Sequence, residues 1–132
     1  MANRSITLAL IIVLSAAVTA AASNNAWMYG NQPSTTDYVP DPTHSFNPVA
    51  PGTIKVHRAA QGVYQITFKN LVAVTGNNAN VQVTAYGNGN ANCHIQGWGT
   101  VPGPDFNAFV RCYDTTTGQT ADSEYSLLIT FH

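Results

Sequence analysis

The sequence predicts an all-β fold: an antiparallel β-sandwich of about seven or eight strands, held by one disulfide and preceded by a signal peptide. Three observations carry that expectation. Apolar and polar residues alternate with period two from Thr53 onward, turn-forming Gly, Asn and Thr clusters recur roughly every 8–12 residues, and no window of about 11 residues shows a helical period.

Composition sets the bounds. The chain has 132 residues, enough for one domain, and only 8% of them are charged. Five Lys plus Arg against six Asp plus Glu exclude a nucleic-acid binder that works by neutralising many phosphates. They equally exclude a polybasic membrane-surface protein and an acidic disordered tail. The surface must be wetted by Asn, Thr, Ser and Gln, a composition that suits an exported β domain.

Residues 1–22 read as a secretory signal peptide. Arg4 supplies the positive end, residues 6–22 are nearly unbroken apolar chain, and Ala20-Ala21-Ala22 forms a small-residue cleavage site before Ser23-Asn24-Asn25. The run is about 17 residues long and contains Thr7, Ser15 and Thr19, which is short for a bilayer span of about 20. No cysteine ends it, so a lipid anchor is not expected. No later segment is long and apolar enough to span a membrane once this one is removed. Four bases (Lys55, Arg58, Lys69, Arg111) then face six acids, a net charge of about −2 for the mature chain.

Residues 23–52 contain Pro33, Pro40, Pro42, Pro48 and Pro51. Repeated proline forbids a long helix and leaves only short edge strands or extended pieces. Trp27-Met28-Tyr29 and Tyr38-Val39 are the residues expected to pin this Pro/Asn-rich segment to the sandwich core, placed at 53–132. Together they make one mature domain, 23–132.

Within the core, Ile54 and Val56 alternate with Lys55 and His57, and Tyr64, Ile66 and Phe68 alternate with Gln65, Thr67 and Lys69. Ala59-Ala60-Gln61-Gly62 between them favours a hairpin. Val81, Val83 and Ala85 alternate with Gln82, Thr84 and Tyr86 before the turn-rich tract 87–92. At the end, Tyr125, Leu127, Ile129 and Phe131 alternate with Glu124, Ser126, Leu128 and Thr130.

Several of these stretches resemble a known group. Gly62-Val63-Tyr64-Gln65-Ile66-Thr67-Phe68, then Asn80-Val81-Gln82-Val83-Thr84-Ala85-Tyr86-Gly87, then Cys93, Trp98, Val110-Arg111-Cys112, Gly118 and Asp122-Ser123 together are similar to modules of small secreted bacterial proteins. The likeness covers roughly Trp27 to Phe131. It implies a compact extracellular β domain, sometimes duplicated within a chain, and it assigns no catalytic residue.

Cys93 and Cys112 are the only cysteines, and in an oxidising compartment an even pair reads as a disulfide. A metal pair would want a CxxC spacing and neighbouring His ligands, which are missing. Placing the two cysteines opposite each other on adjacent antiparallel strands puts Ile95 against Val110 and Gly97 against Ala108 on an inward face. The outward face then carries His94 opposite Arg111, Gln96 opposite Phe109, and Trp98 beside Asn107, with Tyr113 following. The reverse arrangement would bury Arg111 without a partner. The candidate ligand surface is therefore Trp98, Phe109 and Tyr113 interleaved with Arg111, His94 and Gln96. Such a face suits a polysaccharide, through ring stacking and hydroxyl contacts, or an extracellular protein. The alternative places Trp98 and Phe109 in the core at the strand ends or beneath residues 23–52.

Catalytic signals are weak. There is no G-x-S-x-G elbow, His44, His57, His94 and His132 are dispersed, and the glycines at 87–92 lack a dinucleotide fingerprint. Neither a cofactor nor a metal is expected. Asp114, Asp122 and Glu124 flank the Thr-rich turn 115–120 and are the one clustered acid set, a weak calcium site or a hydrolase pair at best. The expectation is a non-enzymatic binding module of the extracellular space or cell surface. A self-associating matrix protein is the first alternative and a small secreted hydrolase the second.

Overall fold

The computed structural model describes residues 24–49, 52–72, 78–87, 89–100 and 103–132. The signal peptide expected at 1–22 lies outside them. The described chain is all-β: β1 (Asn25–Gly30), β2 (Asp37–Tyr38), β3 (Ser45–Phe46), β4 (Ile54–Ala60), β5 (Val63–Phe68), β6 (Ala79–Tyr86), β7 (Ala91–Thr100), β8 (Phe106–Asp114) and β9 (Glu124–Phe131), with one 3-10 turn at Pro42–His44. No helix among the described residues is long and apolar enough to cross a membrane.

The strands form two antiparallel sheets, in the orders β3-β1-β9-β6 and β2-β4-β5-β8-β7. The period-two pattern explains which side each residue takes. Tyr64, Ile66 and Phe68 on β5 and Tyr125, Leu127, Ile129 and Phe131 on β9 are buried between the sheets. Cys93 and Cys112 stand opposite each other on β7 and β8 and form the expected disulfide.

The N-terminal segment is more deeply built in than its prolines suggest. β1 lies between β3 and β9, with Ala26 and Met28 fully buried, so the core starts well before residue 53. The reason is local: β1 ends before Pro33, so all its amides are free to pair on two sides. Beyond Pro33 the proline effect holds. Among the described residues up to Gly52, only the two-residue strands β2 and β3 form there, each at a sheet edge. Gly30 closes β1 where the Tyr125 ring crosses it, and a Cβ there would lie 2.6 Å from Tyr125 Cζ.

Asp122, just before β9, ties the two sheets together. Its Oδ1 accepts from Arg58 Nε (2.9 Å), the Gly62 amide (2.8 Å) and Tyr64 OH (3.0 Å), and its Oδ2 accepts from Arg58 Nη2 (2.7 Å). Tyr64 OH also lies 3.0 Å from the Pro33 carbonyl and accepts from the Ser123 amide. Burial alone would raise the Asp122 carboxyl. Arg58, the Gly62 amide and Tyr64 outweigh it and hold the pKa below the usual aspartate value.

Three outcomes follow for stability. Gly30→Ala should cost about 1–3 kcal/mol through overpacking against Tyr125, read as a lower melting temperature. Reducing the Cys93–Cys112 bridge should cost about 3 kcal/mol, and an unchanged melting temperature would refute this. Because the folded-state pKa of Asp122 is depressed, its stabilisation is present above the unfolded value and lost as pH falls through the folded one. Stability should therefore hold on acidification to about pH 4 and decline below it, and Asp122→Asn should flatten that decline while costing about 2 kcal/mol at neutral pH.

Candidate functional site

The outer face of the five-stranded sheet holds most of the residues singled out by the sequence. His94 faces Arg111 across the β7–β8 ladder, and the His94 and Tyr113 rings lie 6.1 Å apart. Phe109 is 41% exposed and lines an open cleft of about 300 Å³ with Gln65, Gln96 and Gly97.

Trp98 departs from this set. The expected register holds from Cys93 to Ile95, then a bulge makes Gly97 the partner of Phe109, Trp98 that of Ala108 and Gly99 that of Asn107. Gln96 is the extra residue. β7 is an edge strand, so an added residue disrupts one ladder only, and Gly97 brings no side chain against Phe109. The shift moves Trp98 into register with the inward-facing Ala108, off the Phe109 face, although it remains 48% exposed at the rim. Neither Trp98 nor Phe109 is drawn into the core.

A larger cleft of about 540 Å³ lies on the same face among Asp37, Val39, Lys55, His57, Gln65 and Thr67. Some of its polar atoms are engaged within the protein. His57 Nδ1 is 2.8 Å from Asp37 Oδ1, and Gln65 Nε2 (3.1 Å) and Thr67 Oγ1 (2.7 Å) both donate to Asn107 Oδ1.

The three clustered acids have separate duties. Asp114 Oδ1 accepts from the amides of Thr116 (2.7 Å) and Thr117 (2.9 Å), which shape the turn and lower its pKa. Asp122 serves Arg58, Gly62 and Tyr64, whereas Glu124 stands on the outer face of β9 opposite Tyr86. Among the described residues, no three His, Cys, Asp or Glu side chains are grouped to hold a metal ion.

The denser aromatic surface is on the other sheet, and the sequence reading did not find it. β1 points Trp27 and Tyr29 outward, β3 adds Phe46 opposite Trp27, β9 adds Leu128 opposite Trp27, and β6 adds Tyr86 opposite Glu124. Tyr29 and Tyr86 belong to strands on either side of β9. Tyr29 pairs with the small Ser126 and Tyr86 with Glu124, two positions earlier on the same face of β9, and the two rings meet diagonally at 5.7 Å with 82° between their planes. Trp27 packs edge-on to Tyr29 at 5.8 Å, and the His44 ring lies 6.1 Å from Tyr29. Tyr29, Asn31, His44 and Tyr86 line an open cleft of about 300 Å³. Burial raises the Tyr86 phenol, followed by the nearby Glu124 carboxylate and Tyr29, so its hydroxyl stays a neutral donor and acceptor. Amides and hydroxyls (Asn80, Gln82, Thr84, Ser126, Thr130) fill the rest of the face, where Glu124 is the only Asp, Glu, Lys or Arg among the described strand residues.

One signal in the chain could have revealed this face. In Asn25–Gly30 the bulky rings fall on one parity and Ala26, Met28 and Gly30 on the other, the pattern of a strand with an aromatic outer side. No protein-family model, characterised protein or solved structure matches the chain. Its chemistry is therefore read from the geometry alone.

A sharp consequence concerns the two tryptophans. Trp27 packs against Tyr29 whereas Trp98 lies at the rim of the opposite sheet. A saccharide bound on the four-stranded face should shift the fluorescence of Trp98→Phe protein, which keeps Trp27, and leave Trp27→Phe protein silent. The reverse pattern would place the ligand on the five-stranded sheet.

Proposed function

We propose that the protein is a secreted, non-enzymatic binding module that holds a polysaccharide on the outer face of its four-stranded sheet. The observation that carries this reading is the exposed Tyr29–Tyr86 ring pair, flanked by Trp27, His44 and Asn31 on a face almost free of charge. The C–H faces of a pyranose stack on aromatic rings, while amides, hydroxyls and the imidazole reach its hydroxyl groups. An uncharged face also avoids the cost of desolvating ions beneath a polymer. The disulfide and the leader-like residues 1–22 support export to an oxidising compartment. Of the three clustered acids, Asp114 and Asp122 are engaged in the fold, which leaves Glu124 without a second carboxylate from that cluster and supports a binding role.

A second reading, self-association through the same face, is favoured by the apolar row Phe46–Trp27–Leu128. It predicts a size-exclusion elution that shifts with concentration in the absence of glycan.

The test is retention of the purified protein on insoluble cellulose, chitin and cell-wall fractions. Wild type should be retained, Tyr29→Ala should lose at least about tenfold in affinity, and Phe109→Ala on the opposite sheet should bind as wild type. Absence of retention on all three materials would sink the reading. Loss in Phe109→Ala but not in Tyr29→Ala would transfer the site to the five-stranded sheet.

A further inference from the structure

Tyr86 stands between two clefts. On one side is the cleft of Tyr29, Asn31 and His44; on the other is an open cleft of about 280 Å³ bounded by Pro33, Gly87, Gly89, Ser123 and Glu124. Glu124 lies directly across the ladder from Tyr86, and its carboxylate comes close to Gly87, where an added Cβ would sit 3.1 Å from Oε2. Asp122, which also borders this cleft, is bonded to Arg58, whereas Glu124 forms no ion pair among the described residues. Thus the one carboxylate left without a counter-charge on this face stands beside two exposed tyrosine rings. Both features favour the same chemical group. A ring face attracts an ammonium through its quadrupole, and a carboxylate gives it a charge-assisted hydrogen bond.

Building on the polysaccharide reading, we propose that this face selects an amine-bearing glycan, a polymer of N-deacetylated hexosamine. One sugar sits in the Tyr29–His44 cleft, the chain crosses Tyr86, and an ammonium group reaches Glu124. Glu124 is then the specificity-determining residue, and the rings supply contacts common to charged and neutral glycans.

The experiment compares retention of the purified protein on chitosan, chitin and cellulose particles in mildly acidic buffer, where the amines carry charge. Wild type should bind chitosan about tenfold more tightly than cellulose, the factor one charge-assisted contact supplies, and moderate salt should erase the difference. Glu124→Gln should remove that preference and leave cellulose binding unchanged. Asp37→Asn, which deletes the same charge from the opposite sheet, should keep it. Equal binding to chitosan and cellulose by wild type overturns the proposal while leaving the polysaccharide reading intact. So does an equal loss in Glu124→Gln and Asp37→Asn, since that marks general attraction of an acidic protein to a cationic polymer. Failure to bind any of the three overturns both.

Discussion

The two sheets are joined at one end by a single carboxylate. Asp122 receives two donors from Arg58 on β4, one from the Gly62 turn and one from Tyr64 on β5, while it leads directly into β9 of the other sheet. The Arg58 and Asp122 side chains keep about a fifth of their surface exposed (23% and 22%), so the pair is shielded enough to matter without the full penalty of a buried ion pair. The same knot engages the Pro33 carbonyl through Tyr64, which anchors the N-terminal segment. Gly62 is required there twice over. Its φ is +67°, and a Cβ would meet the Cys112 and Ala121 carbonyls at 2.6 and 2.7 Å.

What the knot fixes is the start of β9, and β9 is the strand on which the aromatic face is assembled. It runs between β1 and β6, so its register decides that Ser126 lies between Tyr29 and Thr84 and that Glu124 lies opposite Tyr86. The two outer faces then diverge in chemistry. One sheet shows rings and neutral polar groups around one carboxylate, Glu124, while the other shows an Asp37–His57 pair, Lys55, Arg111 and an Asn107 that is only 2% exposed and accepts from Gln65 and Thr67 through Oδ1. Ring packing is therefore denser on the first face, and charge is greater on the second.

Much of the architecture could be read along the chain, because period-two alternation is a direct record of which side of a strand meets the core. Tyr64, Ile66, Phe68, Leu127 and Ile129 are buried on the parity their spacing indicates, and the cysteine pairing followed from having two cysteines and one register. The site was less legible. Opposition of Cys93 and Cys112 fixed the ladder as far as Ile95, but strict alternation does not count the bulge at Gln96, whose one trace in the chain is Gly97. Its low cost comes from the missing neighbour on the far side of β7 and the missing side chain of Gly97, and only the first of these is a tertiary fact. Trp98 was misassigned for that reason.

The sequence by itself determined the fold class, the disulfide and the inward parity of the main strands, whereas the limit that proline was expected to place on residues 23–52 does not hold for β1. Each of these depends on neighbours a few residues apart or on the simple count of a residue type. The pairing of β1 with β9, the meeting of Tyr29 and Tyr86 and the placing of Glu124 opposite Tyr86 were decided only by the tertiary structure. Tyr29 and Ser126 are almost a hundred positions apart, and no local rule connects them. Their contact exists because burying Ala26 and Met28 against the same core as Leu127 and Ile129 aligns β1 beside β9, and the outward rings then have to share the space above it.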